Sequence, residues 1–176
     1  MYVGARTNTV LTPTTHKGYT TMTIYSYKTL ISEAGTPYLS ADHSYHVDDR
    51  HTYNTPEDIA DFIQNSLDIQ HCAEEYLYVL CFDTCNHLIG CFEASHGNVN
   101  TSIVSNREIM QKSLLIGAVK IALTHNHPAD DLSPSDLDFK ATKTVIEACK
   151  TIGIEFLDHI IVARSGYYSM KTQGEL

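Results

Sequence analysis

The sequence has no long apolar run. Nothing in it approaches the roughly 20 residues a helix needs to cross a bilayer, so no membrane helix is expected. The first twenty residues, Met1 to Thr20, are polar and lack the apolar segment of a secretory signal. A cytoplasmic protein is the expectation. Basic residues are also scarce, 12 Lys and Arg against 21 Asp and Glu, and they are scattered rather than clustered. A net charge of -9 opposes the extended phosphate contact that a nucleic-acid surface requires. Cysteine is sparse in the way that matters. There are five, an odd number, with no Cys-x-x-Cys pair, so a disulfide framework is not expected. Cys81, Cys85 and Cys91 fall close together and read as buried reduced thiols.

What is present is an ordinary globular chain. Its 176 residues and 43% hydrophobic content suit one domain with one core. The informative stretch runs from Leu123 to Asp138. An apolar run, Ala118 to Thr124, is broken only by Lys120 and reads as a strand. Ser133, Pro134 and Asp136 then read as N-cap, first helical position and first-turn acid. His125 and His127 are two apart, which on an extended chain places both on one face. Ser135 and Asp138 are three apart, which on a helix does the same. The loop is long enough to fold the helix start over the histidines. Two imidazole nitrogens and one carboxylate would then converge, with a serine hydroxyl nearby. Three such ligands with a fourth position open are the set of a catalytic zinc ion, although iron, cobalt or nickel suit the same donors.

His125-Asn-His-Pro followed by Ser133-Pro-Ser135-x-x-Asp138, with ten residues between His127 and Asp138, resembles the JAMM (JAB/MPN) metalloprotease motif in its RadC form. Ser105-Asn-Arg-Glu-Ile109 is similar to a further RadC segment, with Asn106 where the family usually has Pro. Gly153 to Ile161 and Gly166-Tyr-Tyr-Ser169 resemble its C-terminal strands. The resemblance covers roughly Thr55 to Met170. It departs at Ala129-Asp130, where members often have Ser-Gly, and the family's usual N-terminal helix-hairpin-helix module is not apparent in this sequence.

The rest of the chain gives the frame. Residues 1–54 read as an N-terminal extension with no assigned role, and 55–176 as a RadC-like JAB/MPN metallohydrolase domain. Thr20 to Lys28 alternates like a strand, and Gly35 to Pro37 marks a turn. His43, His46 and His51 with Asp42, Asp48 and Asp49 read as a solvated loop rather than a metal cluster. Thr55-Pro56 opens a helix carrying Ile59, Phe62, Ile63 and Leu67 inward. Glu75 to Phe82 is a doubly buried strand, and His87 to Glu93 returns after a turn, ending at His96-Gly97-Asn98. Ser105 and Glu108 read as a capping box, which gives Glu108 a structural task. Leu137, Ala141, Thr144, Val145, Ala148, Cys149 and Ile152 form an apolar stripe closed by Gly153. His159, mid-strand and far from the histidine pair in sequence, reads as structural.

The fold class is therefore α/β, a mixed sheet flanked by helices. The resemblance implies the single-domain JAB/MPN, cytidine-deaminase-like form of it. It also implies a zinc-dependent hydrolase of a peptide, isopeptide or other amide bond, with a peptide or protein tail as substrate. His125, His127 and Asp138 would hold the metal. Glu75, with Glu74 as the alternative, would be the general base, and Ser135 would donate to the developing oxyanion. A non-enzymatic binding module of the same fold and a DNA-repair-associated accessory protein remain alternatives, the second opposed by the charge.

Overall fold

Every strand and helix expected from Thr20 onward has a counterpart in the computed structural model, which describes residues 14–16, 19–97 and 105–176. The polar stretch before Thr14 and the strand end expected at Asn98 lie outside the described residues. The strands are β1 (Thr14–His16), β2 (Tyr19–Ile31), β3 (Pro37–Asp48), β4 (Tyr76–Phe82), β5 (Leu88–His96), β6 (Lys120–Asn126), β7 (Glu155–Ala163) and β8 (Gly166–Ser169). Among the described residues these eight form one mixed sheet in the order β1-β2-β5-β4-β6-β7-β8, with β3 also beside β2. The α-helices are α1 (Pro56–Phe62), α2 (Asn106–Ile116) and α3 (Asp136–Ile152).

Side chains of β4 alternate between two cores, which explains its near-continuous apolarity. Leu80 and Phe82 pack with Ile59, Phe62 and Ile63 from the α1 side. Leu77, Val79 and Cys81 pack with Ile109 and Met110 of α2 and Val145 and Cys149 of α3. Helices therefore cover both faces, as expected. β6 and β7 run parallel, and α3 is the crossover that such a pair requires. No helix among the described residues is long and apolar enough to cross a membrane.

Local chemistry sets the helix ends. Thr55 and Asp58 form a reciprocal capping box at α1. At α2 the forward half is made, Ser105 Oγ accepting from the Glu108 N–H at 3.4 Å. Gly117 and Gly153 close α2 and α3 in the left-handed region, with φ of 87° and 77°, where a side chain would be strained.

Four expectations are corrected. The N-cap of α3 is Ser135, not Ser133. Both serines have an acid three residues on, but Ser133 N–H is taken by Asp131 Oδ1, while Ser135 and Asp138 make the full box. The buried face of α3 is Asp138, Thr142, Val145 and Cys149, and Leu137, Thr144 and Ile152 are exposed. Cys81 and Cys91 are buried, but Cys85 lies exposed in the β4–β5 turn. Asp42, His43, His46 and Asp48 lie on β3 rather than in a loop, and β3 pairs along β2 from Thr21 to Ile31.

That β2–β3 hairpin joins the sheet through a parallel pairing of Ser26 with Cys91 on β5. Close approach depends on Gly90. A Cβ there would stand 2.8 Å from Tyr27 Cε2 and 3.3 Å from the Tyr25 carbonyl oxygen.

Candidate metal centre

The β6 strand carries His125 on the same side as Ile121 and Leu123, facing α3. His127 lies just past the strand end, yet its N–H donates to the Val162 carbonyl at 2.9 Å. Pairing with β7 is thereby prolonged, and the two histidines keep a common face. Asp138 occupies the third position of α3. Its Oδ2 accepts from Ser135 N–H at 2.7 Å and from Ser135 Oγ at 2.6 Å. The cap that starts the helix therefore also aims the carboxylate.

The three side chains converge. His125 Nε2 is 2.9 Å from His127 Nε2 and 3.3 Å from Asp138 Oδ1, and His127 Nε2 is 3.8 Å from Asp138 Oδ2. Ligands about 2.0–2.1 Å from a tetrahedral ion stand roughly 3.3 Å apart. The observed triangle brackets that value, and its donors are two nitrogens and an oxygen, with no cysteine among them. His127 Nδ1–H donates to the Asp131 carbonyl at 2.6 Å, which leaves the Nε2 lone pair for the centre. His125, His127 and Asp138 form a group able to hold a metal ion.

The loop between the ligands is tied down midway. Asp130 sits in the left-handed region, φ 64°, at the departure from the usual Ser-Gly. Asp tolerates that region better than most residues. Its N–H donates to the His127 carbonyl at 3.1 Å, and its carboxylate accepts from Ser165 N–H at 2.9 Å in the β7–β8 turn.

Beside the triangle lies a cleft of about 470 Å³ lined by Glu74, Glu75, Gly97, Pro128 and Ala129, among others. Glu75 is half-buried on its wall, and the Glu74 carboxylate turns to His96 at 3.4 Å.

The sequence profile described as RadC-like JAB domain matches residues 53–175. The chain belongs to this family. The RadC-like domain is similar to a UPF0758 protein of Clostridium acetobutylicum, 39% identical over 122 residues, which cover 69% of this chain and 52% of the relative. A UPF0758 protein of Clostridium botulinum is 36% identical over 120 residues, 68% of this chain and 52% of the relative. One of Alkaliphilus metalliredigens is 36% identical over 117 residues, 66% and 50%. The chain thus spans about half the length of the curated relatives it matches. The sheet with helices on both faces is the JAB/MPN fold.

Electrostatics in the RadC-like site follow from burial and pairing. Burial pushes His125 down to about 4, against the opposing pull of Asp138. The Asp138 carboxylate, 3.8 Å from Nε2, raises His127 despite partial burial, and the Asp131 carbonyl and the Glu75 charge act the same way. Burial works against ionising Asp138, but His127, His125 and Ser135 hold its carboxyl well below the usual range. Asp138 is therefore an anion ready to meet a cation.

Two neighbours complete the surroundings: His159, which the sequence reads as structural, and Thr142, which it places on no functional face. His159, 1% exposed, places Nε2 2.8 Å from His125 Nδ1, and Thr142 Oγ1 lies 2.5 Å from His159 Nδ1. The parallel register, Leu123 opposite His159, brings them together, and nothing local in the sequence announces it. A second group of suitable donors, Asp83, Cys85 and His87, lies in the β4–β5 turn. There the Asp83 carboxylate caps the turn by accepting from the N–H groups of Cys85 and His87 at 2.8 and 2.9 Å. Asp42, His43, His46 and Asp48 form no such group among the described residues.

Proposed function

We propose that this RadC-like domain is a metal-dependent hydrolase of an amide bond in a peptide, an isopeptide or a protein tail, with zinc as the ion. The observation that carries the reading is the triangle of His125, His127 and Asp138, whose sides bracket the ligand spacing of a tetrahedral ion. When bound, such an ion lowers the pKa of a water towards roughly 7 and polarises a carbonyl.

The protein groups supply the rest. Glu75 lies close enough to influence His127 electrostatically and stands at the wall of the cleft. It takes the proton of the attacking water and returns it to the leaving nitrogen. Glu74, the alternative base, turns its carboxylate to His96 at 3.4 Å. The Ser135 hydroxyl, whose one proton goes to Asp138 Oδ2 in the cap, is the donor we assign to the developing oxyanion, and it must turn from Asp138 to serve there. The cleft supplies room for an extended chain beside the ligands.

The test is metal analysis combined with a peptide and isopeptide substrate panel. Purified protein should hold about one zinc per chain, and His127→Ala should lose it. Glu75→Gln should keep the ion and lose hydrolysis. A metal-free wild type, or full activity in Glu75→Gln, would overturn the reading.

A further inference from the structure

We propose that His159 is a positioning residue of the metal centre, which, held by Thr142, makes His125 present Nε2 as a ligand. The inference rests on the metal-binding reading above.

Hydrogen-bond direction can be followed atom by atom. Thr142 Oγ1 lies 2.6 Å from the Asp138 backbone carbonyl, and a carbonyl only accepts. The one hydroxyl proton of Thr142 therefore goes to Asp138, the Met170 thioether at 3.7 Å being the weaker acceptor. Toward His159 Nδ1, at 2.5 Å, Thr142 must then accept, so Nδ1 carries the hydrogen. The ring is 1% exposed and neutral, which leaves Nε2 of His159 with a lone pair. That lone pair faces His125 Nδ1 at 2.8 Å. His125 must donate there from Nδ1–H, and its own Nε2 is left bare for an ion.

The alternative tautomer explains why this matters. With its hydrogen on Nε2, His125 would face Asp138 Oδ1 at 3.3 Å as a donor. The carboxylate would be satisfied internally and one nitrogen ligand lost. The relay works against that self-quenched state. It also sets two bare Nε2 atoms 2.9 Å apart, an arrangement that favours a cation between them. The relay begins on the Asp138 carbonyl and ends on His125, so it links α3, β7 and β6, and an ion held by His125 and Asp138 would close it.

The experiment measures zinc affinity by chelator competition, and histidine tautomers by long-range ¹⁵N–¹H correlation in wild-type protein. His159→Leu removes the acceptor for His125 and should weaken zinc binding roughly 10–100-fold. His159→Gln, which offers an amide oxygen instead, should recover most of the loss. Thr142→Val, nearly isosteric, should weaken binding in the same direction, and Thr142→Ser should restore it. These two keep the test open if His159→Leu fails to fold. The wild-type spectrum should show His159 protonated on Nδ1 and bare on Nε2. Full zinc affinity in both His159→Leu and Thr142→Val, or a His159 ring protonated on Nε2, would overturn the assignment alone. Absence of zinc from the wild type would remove the metal reading and this assignment together.

Discussion

Asn126 accepts from the Tyr76 N–H at 2.7 Å and donates to the Glu74 carbonyl at 3.0 Å, so one side chain brackets the backbone of Glu75 from both sides. It stands between His125 and His127 in sequence but faces the other way, buried at 0% exposure. Asn126→Ala would leave buried backbone groups unpaired and should cost about 2–3 kcal/mol in urea denaturation. Zinc stoichiometry should persist, while hydrolysis falls as Glu75 loses its fixed position. Unchanged stability would show that the bracket is not made.

The dual use of the α3 cap gives a comparison within one protein. Thr55→Ala and Ser135→Ala each remove a capping hydroxyl and should each cost about 1 kcal/mol in thermal unfolding. Only Ser135→Ala should also weaken metal binding, because it removes the hydroxyl that, with the retained N–H, aims Asp138. Equal zinc affinity in the two variants would separate the cap from the centre.

Acid should destabilise the metal-free protein before its carboxylates titrate. His125 has an ordinary value of 6.5 and a folded one near 4, chiefly from burial. Between those values the unfolded chain binds the extra proton, so stability falls as pH drops from about 6.5 to 4. Burial depresses His159 as well and acts the same way. His127 is raised and acts oppositely, its contribution present below 6.5 and fading as pH rises through its folded value. Two depressed groups against one raised group give a net decline on acidification. Urea midpoints of metal-free protein at pH 7, 5.5 and 4.5 should decrease in that order.

Gly90 tests the seating of the N-terminal hairpin. Gly90→Ala places a methyl against the Tyr27 ring and the Tyr25 carbonyl and should cost about 1–3 kcal/mol by overpacking. Hydrogen exchange should rise along β2 before it rises in β6 or β7. Uniform protection across the sheet would show that the hairpin yields without parting from β5.

Much of this architecture is written in local patterns. The run Tyr76 to Phe82 announces a strand covered on both faces, and Thr55-Pro56 announces α1. His125 and His127 converge because period-two geometry carries past the strand end. The start of α3 was harder, since Ser133 and Ser135 carry the same signal, and only the carboxylate that reaches back decides between them. The inward face of α3 was misread for a related reason. Two of its buried residues, Asp138 and Thr142, are polar, so apolar periodicity does not mark them. His159 is 34 residues from His125, and its place depends on strand pairing, which composition does not encode.

The tie from Asp130 to Ser165 divides the stretch from His127 to Asp138 into two short arms. The entropy of closing a loop grows with its length, so a divided loop wanders less than a free one of ten residues. Chain folding itself thereby settles the spacing of the carboxylate from the imidazoles. On the proposed reading, an arriving ion would meet a preorganised grip, its binding energy going into coordination rather than into gathering scattered groups.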